Sequence, residues 1–340
     1  MVRSNIPKMK INHLDLFSGI GGFHLGFEKA GYEITSYFSE IDKHAIAVYK
    51  HQFPTSTYVG SVTNVRGADL PRINLITFGS PCQDFSLAGK RKGMEGQRSS
   101  LVLEAIRLIS ECRPSVFVWE NVKGTFSSND GADFWAIIQA FADIGGYRLE
   151  WQLLNTSWFL PQNRERIYLV GYSTNSSGGG VFPIGEDSGA VASAEVKQIG
   201  ARLDSGGKQP YQQDRVYDSD GHAPALNAGK SDLIIKHEIG DYRSDEGWRL
   251  RKDGNCPTLA ARAREDGSGQ PLLKENYRIR RLTPIECERL QGFPDQHTAY
   301  GNYDGEVKPM SNTQRYKQCG NAVTVDVVAA VAKKCLPLFN

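Results

Sequence analysis

Short apolar segments alternate with amphipathic segments over the first 172 residues, and this alternation most constrains the fold. Residues 11–17 form a short apolar run, interrupted by Asn12, His13 and Asp15, that stops at the glycine-rich residues 18–22. This pattern is typical of a strand, a tight turn and a helix. The pattern predicts further strands near 34–39, 75–78, 116–119, 149–154 and 167–172, and helices from about 43, over 101–112 and over 134–144. It therefore predicts an α/β fold: a doubly wound, largely parallel sheet with ligands at the carboxyl ends of the strands.

A different pattern begins after residue 172. Residues 173–180 are almost all Ser, Thr, Asn and Gly, which predicts a linker. From about 183 to 277 helical periodicity is weak, and residues 220–228 resemble 253–261, through either a repeated turn-and-strand unit or coincidence. Helical signals return with a capping box at 283–286 and again over 324–336. We expect a smaller, loop-rich domain that is inserted between parts of the first or precedes a helical tail.

Composition and charge exclude several classes of protein. No apolar run approaches the roughly 18 residues of a membrane span, and no signal-peptide apolar region follows the N-terminus, so we expect a cytoplasmic protein. The 6 cysteines form no C-x-x-C pair, which argues against structural zinc and a dense disulfide framework, and we expect no metal. The net charge of +2 is uninformative, but residues 248–281 carry a surplus of Lys and Arg, typical of either a solvated face or a phosphate-binding surface.

The glycine-rich turn is the first candidate site. Gly19, Gly21 and Gly22 allow the backbone to approach a ligand at a helix N-terminus. A dinucleotide fingerprint requires a third glycine where His24 stands, which favours a smaller adenosine cofactor over one with a pyrophosphate. Glu40 ends the second strand, where a carboxylate either accepts hydrogen bonds from ribose hydroxyls or is simply solvated.

A cysteine directly after a predicted strand is the second candidate site. Cys82 follows Pro81 at the strand exit, where a thiol is placed to react, although a lone cysteine is more often buried and inert. Residues 84–100 combine three glycines with four Lys or Arg, a pattern typical of either a mobile cationic lid or an ordinary exposed loop.

Charged side chains at two further strand ends complete the set. Glu120 follows the strand near 116–119, at the same sheet edge as Cys82. Arg164 and Arg166 lie in a charged segment before another strand, too dense in charge to be buried unless it serves a site. Each could form a structural ion pair, but together they bring a carboxyl group and guanidinium donors to the edge that carries the thiol.

In combination these motifs resemble the DNA cytosine-5 methyltransferase family, of the prokaryotic or phage modification type. The resemblance rests on motifs in family order at 15–22 with Phe23 and Gly26, at Glu40, and at 79–83, 120–122, 162–166, 281–295 and 318–323. Only the segment of about 90 to 100 residues directly before Arg281 lacks family motifs. In the family, that segment is the variable target-recognition domain.

The resemblance implies a Rossmann-like S-adenosylmethionine-dependent methyltransferase fold with a smaller loop-rich target-recognition domain. A catalytic and cofactor-binding domain would span 1–175 and be completed by 317–340. A linker and target-recognition domain would span 176–280, and a hinge and connecting segment 281–316.

The resemblance also implies that S-adenosyl-L-methionine is the methyl donor. Its pocket would include Phe17, Gly19, Gly21, Gly22, Glu40 and Pro81, with Asn321 returning from the C-terminal segment to close it. The family usually has an acid after the third strand that contacts the adenine amino group. Here Gly60 is followed by Ser61, whose hydroxyl could accept that hydrogen bond.

The implied reaction transfers a methyl group to carbon 5 of a flipped-out cytosine in a specific double-stranded DNA sequence. Cys82 would add to carbon 6, because carbon 5 alone is a poor nucleophile. Glu120 would contact ring nitrogen 3 and the exocyclic amine, and Arg166 the carbonyl oxygen. Arg164 would support the pocket or a phosphate. A stacked cytosine is inaccessible to such a thiol, so the base must leave the helix.

The resemblance places the DNA contacts in two segments. Gln83 directly precedes the predicted lid, and Lys90 and Arg98 belong to it. The basic stretch contains Arg249, Arg251, Thr258, Arg262 and Arg264. Thr258 with Leu259 resembles the short Thr-Leu signature of family recognition domains, and the arginines could pair with guanine or with phosphate. We expect double-stranded DNA as the partner, a monomer and no membrane contact. The sequence leaves open whether a cognate restriction endonuclease that acts independently exists.

Other functions remain as alternatives to this interpretation. A relative that methylates transfer RNA and a catalytically silent DNA-binding regulator both fit parts of the pattern. A nucleotide-binding oxidoreductase would explain the glycine-rich turn, but it conflicts with His24 and leaves the other motifs unexplained.

Overall fold

The computed structural model describes residues 8–80, 101–185 and 282–339 with their side chains, except that of residue 128, and the backbone of six short strands between 216 and 281. The strands up to residue 173 are β1 Met9–Leu16, β2 Tyr32–Ser39, β3 Thr57–Gly60, β4 Leu75–Gly79, β5 Val116–Val122, β6 Tyr147–Asn155, β7 Gln162–Asn163 and β8 Glu165–Ser173. The later strands are β9 Val216–Asp218, β10 Glu238–Arg243, β11 Gly247–Leu250, β12 Cys256–Pro257, β13 Leu272–Glu275, β14 Arg278–Arg281, β15 Tyr300–Tyr303 and β16 Glu306–Pro309. The helices are α1 Gly22–Lys29, α2 Lys43–Gln52, α3 Leu101–Cys112, α4 Ala132–Ala142, α5 Pro284–Leu290, α6 Asn312–Asn321 and α7 Val325–Cys335.

A seven-stranded sheet in the order β3-β2-β1-β4-β5-β8-β6 forms the centre of the molecule. The pairs from β3 through β5 are parallel, and β8 runs antiparallel to both β5 and β6. The doubly wound, largely parallel sheet predicted from the sequence is therefore confirmed. The strand order reverses between β1 and β4, so the segments that follow these two strands flank a crevice where such folds bind ligands.

Both faces of this sheet are covered by helices. Alternate residues of the strands point to opposite sides, as Leu75 and Ile76 show, and both sides are apolar. On one side α1 and α7 pack on the sheet through Phe27 and Val328, and on the other α3 and α4 pack through Leu108 and Phe141. The sheet edges that carry the candidate residues are thus built on a rigid core.

Several helix boundaries follow from local sequence signals. Asp42 caps α2 by accepting hydrogen bonds from the amides of His44 and Ala45, as predicted. Thr283 and Glu286 form the predicted capping box at the start of α5, with Pro284 in its first turn. Helix α3 has the predicted bounds because its buried residues repeat at helical spacing.

The chain after residue 281 packs on the unit formed by the first part of the sequence. Gly26 of α1 lies so close to α7 that an added Cβ would be 2.4 Å from Cγ1 of Val328. The hydroxyl of Tyr32 donates to the carbonyl of Ala332 at 2.9 Å. Phe293 and Met310 join Ile20 and Val48 in a separate apolar cluster. These contacts accord with the expected return of the last helix, while the domain boundaries stay predictions.

A five-stranded sheet in the order β11-β9-β10-β13-β14 lies within the segment expected to recognise the target. Its backbone pairs are mostly antiparallel. The two-residue strand β12 pairs in parallel with β7, Cys256 opposite Gln162. The internal resemblance of 220–228 to 253–261 lies outside the described residues except for the backbone of β12. None of the described helices is long and apolar enough to cross a membrane.

Candidate active site

The glycine-rich turn after β1 adopts a conformation that needs its glycines. Gly19 and Gly21 have positive φ values of 53° and 84°, and Phe17 has a φ of 51°, which is unusual for a residue with a side chain. The amide of Gly21 donates to the carbonyl of Ser18 at 3.0 Å. A Cβ at Gly21 would lie 2.3 Å from the ring of Phe53, so the turn is also packed from behind. A non-glycine residue held in this region indicates a functional constraint at the turn.

Glu40 is bound to this turn. Its Oε2 accepts the amide of Gly19 at 2.9 Å, and its Oε1 accepts the amides of Ile41 and Asp42 at 2.7 and 3.0 Å. A carboxylate can accept about four hydrogen bonds, so this side chain retains acceptor capacity at the half-buried end of β2. Glu40 therefore shapes the turn and can still accept a hydrogen bond from a ligand hydroxyl.

Asn321 reaches the same turn from the far end of the sequence. It is the exposed last residue of α6, and two residues later Val323 contacts the turn. A Cβ on Gly22 would lie 2.6 Å from Cγ2 of Val323, so only glycine permits this approach. The structure thus brings Gly19, Gly21, Gly22 and Glu40 together, with Asn321 two residues from Val323, which contacts the turn. Their roles in cofactor binding stay predictions.

Two further residues lie at the carboxyl ends of the neighbouring strands. Ser61 follows β3, and its hydroxyl is 3.0 Å from that of Thr63. Ile41, which the sequence reasoning missed, is 78% exposed immediately after Glu40. A large apolar side chain left in solvent beside a carboxylate is suited to cover the face of a flat ring. Its position after an acid that ends the second strand was the signal available in the sequence.

The buried Glu120 near the end of β5 pairs with the half-buried Arg166 of β8. Val122 lies directly opposite Arg166 in the β5–β8 register, so Glu120 is its diagonal neighbour on the same face. Oε1 of Glu120 is 3.2 Å from Nε of Arg166. Within the described part of the chain, however, this buried oxygen receives no well-aligned hydrogen bond. Oε1 of Glu120 can therefore accept a hydrogen bond from a further donor.

Ser80, the last described residue before the cysteine segment, is fixed from the neighbouring strand. Its Oγ accepts hydrogen bonds from the indole Nε1 of Trp119 at 3.0 Å and from Nδ2 of Asn121 at 3.1 Å. All three residues are buried. Sequence reasoning predicted the strand that contains Trp119 but gave the side chain no role. Pro81 and Cys82 themselves lie outside the described residues.

Arg164 has different contacts from those expected of a residue at the cytosine or at a phosphate. It is only 3% exposed, and its guanidinium donates to the carbonyls of Gly320 and Ala322. A phosphate contact conflicts with this burial, because backbone carbonyls rather than solvent surround the charge. The predicted alternative of support for the pocket agrees with the geometry.

A chain of buried polar side chains runs beneath the turn. The carboxylate of Asp15 accepts hydrogen bonds from the hydroxyls of Thr77 at 3.0 Å and Tyr49 at 3.2 Å. Nδ1 of His24 lies 3.2 Å from the Tyr49 hydroxyl, and its ring stacks on Phe53 with the ring centroids 3.9 Å apart. Burial raises the pKa of Asp15 well above its ordinary value. His24, which excluded a dinucleotide fingerprint, is therefore part of the support of the turn.

The residues predicted to contact DNA are not described. Gln83, Lys90, Arg98, Arg251, Thr258, Arg262 and Arg264 lie outside the described residues, and of Arg249 only the backbone in β11 is described. Over the described ranges, no group of three or more His, Cys, Asp or Glu side chains is arranged to hold a metal ion.

Comparison with known proteins agrees with this arrangement over nearly the whole chain. Residues 11–337 match the family described as C-5 cytosine-specific DNA methylase. The chain is 33% identical to the Type II methyltransferase M.Bsp6I of Bacillus sp. (strain RFL6), over 94% of this chain and 96% of that protein. It is also 33% identical to the Type II methyltransferase M.NgoBI of Neisseria gonorrhoeae, over 96% of this chain and 93% of that protein.

Solved structures share the fold. A putative DNA modification methyltransferase encoded within an E. coli prophage has a TM-score of 0.64 at 23% identity, covering 96% of this chain and 99% of that chain. The Dnmt2 methyltransferase of S. pombe has a TM-score of 0.65 at 18% identity over the same shares. The family match and these identities over nearly full length show that the chain belongs to the C-5 cytosine-specific DNA methylase family and is a DNA (cytosine-5)-methyltransferase.

Proposed function

We propose that this enzyme transfers a methyl group from S-adenosyl-L-methionine to carbon 5 of a flipped-out cytosine in a specific double-stranded DNA sequence, through a covalent adduct between Cys82 and carbon 6. The carrying observation is the buried oxygen of Glu120 that lies 3.2 Å from Arg166 but receives no aligned hydrogen bond among the described side chains. A buried polar group of this kind requires a partner, and a pyrimidine edge supplies one.

Glu120 and Arg166 would act on the two polar sides of the cytosine ring. The carboxyl group of Glu120 binds ring nitrogen 3 and the exocyclic amine, and stabilises the charge that accumulates when a thiol adds to carbon 6. The guanidinium of Arg166 holds the carbonyl oxygen and keeps Glu120 in place. Gly79 lies opposite Glu120 in the β4–β5 register, and a Cβ there would be 3.2 Å from Oε2 of Glu120, so glycine leaves the carboxyl group room.

Cys82 would supply the nucleophile. Its thiolate forms a bond to carbon 6, the electron pair moves to carbon 5, and loss of the carbon 5 proton after methylation expels the thiolate. Ser80 is held by Trp119 and Asn121 two positions before this cysteine. The base reaches the thiol only after it leaves the duplex, at a cost of about a few kcal/mol that the predicted cationic lid and phosphate contacts would offset.

The described residues after β1, β2 and β3 fit S-adenosyl-L-methionine, which supplies a methyl group on a positively charged sulfur. Glu40 retains acceptor capacity for ribose hydroxyls, and the exposed Ile41 can cover the adenine. The Ser61 hydroxyl can accept a hydrogen bond from the adenine amine, and the backbone of the turn at Gly19 and Gly21 allows close approach. Phe17, Gly22, Pro81 and Asn321 complete the proposed pocket.

Covalent trapping tests the proposed nucleophile. Incubation with S-adenosyl-L-methionine and duplex DNA that contains 5-fluorocytosine should give a stable protein–DNA adduct with the wild type and none with Cys82→Ser. Cys112→Ser, which changes a half-buried thiol on α3, is the matched control and should trap like the wild type. An adduct that persists in Cys82→Ser would overturn the assignment.

Bisulfite sequencing of an unmethylated plasmid after incubation tests the substrate. Protected cytosines in one recurring context would support sequence-specific DNA methylation. Duplex binding without protection would instead favour the silent regulator, and RNA would then be assayed. The cytoplasmic location, the monomeric state, the absence of a metal and the DNA contacts at 83–98 and 249–264 stay predictions, and the existence of an independently acting restriction endonuclease stays open.

A further inference from the structure

We propose that Arg164 is a positioning residue for the cofactor side of the site: its guanidinium straddles Asn321 and holds that residue at the glycine-rich turn before the cofactor binds. This inference rests on the proposed function, because it takes Asn321 to contact S-adenosyl-L-methionine.

Two hydrogen bonds of the Arg164 guanidinium go to the residues directly before and after Asn321. Nη1 donates to the carbonyl of Gly320 at 3.3 Å and Nη2 to the carbonyl of Ala322 at 2.8 Å, so the two bonded carbonyls lie on either side of Asn321. The guanidinium is planar and presents its donors in a rigid fork, so it fixes the two carbonyls relative to each other. Asn321 itself is exposed and free to face a ligand.

The backbone of Arg164 is also fixed. Its amide donates to Oδ1 of Asn155 at 3.1 Å, and its carbonyl accepts the amide of Thr156 at 3.0 Å. These bonds attach Arg164 to the end of β6, which belongs to the central sheet. The backbone of Arg164 is therefore held on the sheet, and burial and the bonds to the two carbonyls restrict the rotation of its side chain.

A second buried side chain holds the same segment from α5. Nε2 of Gln291 donates to the carbonyl of Cys319 at 3.1 Å, and its Oε1 accepts the hydroxyl of Thr324 at 2.9 Å. The backbone carbonyl of Gln291 accepts the amide of Val325 at 2.9 Å. Residues 319–325 are thus fixed on both sides of Asn321, and Val323 within them contacts Gly22.

The two arginines of this motif have different contacts and act on different sides of the site. Arg166 contacts Glu120 and serves the cytosine side, whereas Arg164 holds Asn321 and serves the cofactor side. Positioning of a binding residue in advance lowers the ordering cost of binding. Loss of the fork should therefore weaken cofactor binding more than it slows the chemical step.

The test combines Arg164→Lys with Asn321→Ala. A lysine amine cannot reproduce the fork, so we expect Arg164→Lys to raise the dissociation constant of S-adenosyl-L-methionine about tenfold in calorimetric titration. At saturating cofactor the rate of adduct formation on 5-fluorocytosine DNA should stay near that of the wild type. The double variant should bind the cofactor no more weakly than Asn321→Ala alone, because the fork acts through Asn321.

Arg113→Lys is the matched control. Arg113 also bridges two backbone carbonyls, those of Ile144 and Gly145, but at the opposite ends of the strands. The Arg113→Lys variant should therefore bind the cofactor with the affinity of the wild type. Unchanged affinity in Arg164→Lys, or losses that multiply in the double variant, would overturn the proposal. Failure of the wild type to bind S-adenosyl-L-methionine would instead count against the proposed function.

Two further measurements apply if Arg164→Lys does not fold. Arg164→Gln removes the buried charge and keeps one amide donor, so it should fold and show the same loss of affinity. In the wild type, the amides of residues 318–323 should be protected from hydrogen exchange before cofactor is added, because the segment is already held. Exchange at the rate of an unstructured peptide without cofactor would contradict the inference.

Discussion

Ser80 lies between the end of β4 and the cysteine segment, and its side chain is held by hydrogen bonds from β5. Its hydroxyl accepts two hydrogen bonds from β5, one from the ring of Trp119 and one from the amide of Asn121. A serine without these partners would leave the exit of β4 free to rotate, because the bond to a buried donor is what fixes its side chain. The neighbouring strand therefore fixes the side chain of Ser80, the last described residue before the cysteine segment.

Trp119→Phe tests this role. The substitution keeps a buried aromatic ring, removes the indole donor and leaves a cavity beside the smaller ring. We therefore expect the free energy of unfolding to fall by about 1–3 kcal/mol. We also expect adduct formation on 5-fluorocytosine DNA to slow by roughly three- to tenfold, because misplacement of a reactive group is costly. Urea unfolding and rapid-quench trapping measure the two effects.

Trp151→Phe is the control for this prediction. Trp151 is partly exposed on β6 and packs on Phe126 and Phe134, away from Ser80. It should leave the rate of adduct formation unchanged. If Trp119→Phe loses stability but traps DNA at the wild-type rate, the hydrogen bond to Ser80 contributes only to folding.

At the level of individual residues, sequence patterns predicted which side chains gather but not what each one touches. Glu40, Glu120 and Asn321 lie where strand ends and motifs placed them. The contacts of Arg164 with Gly320 and Ala322 could not be predicted, because they join positions more than 150 residues apart whose acceptors are backbone carbonyls. A carbonyl carries no side-chain signal, so the sequence does not mark which carbonyls an arginine will bind.

Among the elements, the pairing of α1 with α7 depends on one small residue. Gly26 would normally weaken a helix by about 1 kcal/mol relative to alanine. A Cβ there, however, would meet Cγ1 and Cβ of Val328 at 2.4 and 2.6 Å. Overpacking of this kind costs about 1–3 kcal/mol, and Cβ of a branched side chain cannot move aside. Steric conflict therefore outweighs helix propensity.

Gly26→Ala should thus lower the free energy of unfolding by up to about 2 kcal/mol, as the difference between these two effects. The urea midpoint measures it. Val328→Ala alone should also destabilise the protein, because it leaves a cavity. The double variant should lose less than the sum of the two single losses, since removal of Cγ1 of Val328 relieves the closer of the two contacts, while Cβ stays. Strict additivity would show that the two helices do not approach this closely.

Elements with an apolar stripe were predicted well, and polar elements were not. Helix α6 was missed because its sequence is polar on nearly every face, and only Gln318, Cys319 and Gly320 are buried. Its start depends on Ser311, whose side chain accepts the amide of Gln314. The β15–β16 hairpin was also missed, although Asp304 and Gly305, both with positive φ, are the residues that a tight hairpin turn prefers.

For the molecule as a whole, stability in acid depends on buried histidines. Nε2 of His297 lies 2.8 Å from the carbonyl of Ile20, to which it donates. Burial lowers the pKa of His297 from 6.5 to about 4. Burial and the nearby His24 lower the pKa of His13 well below its ordinary value. A lowered pKa means that the folded state binds protons less readily than the unfolded state, so stability falls as the pH drops below 6.5.

His297→Gln should reduce this dependence on pH. A shift from 6.5 to about 4 corresponds to about 3 kcal/mol that is present at pH 7 and lost as the pH falls to 4. Glutamine can still donate to the carbonyl of Ile20 but does not titrate. Urea midpoints at pH 7.5 and 4.5 should therefore differ less in His297→Gln than in the wild type.

The buried Asp15 acts in the opposite direction, because a raised pKa gives stability that is lost as the pH rises. Asp15 is present in both proteins. The difference in pH dependence of the urea midpoint between the wild type and His297→Gln therefore reports the contribution of His297. Equal changes in midpoint for the two proteins would contradict the assignment of acid sensitivity to His297.

The contact of Tyr32 with Ala332, together with the packing of α1 on α7, has a consequence during protein synthesis. At about 5–20 residues per second, a ribosome needs roughly 15–60 seconds to progress from one partner to the other. Throughout that interval the apolar side of the first strands lacks the cover of α7, and transiently exposed apolar surface of this kind favours aggregation. Asn321 is also absent, so a half-made chain cannot assemble the proposed pocket. Modification of DNA would begin only once α7 has emerged, whatever the supply of methyl donor.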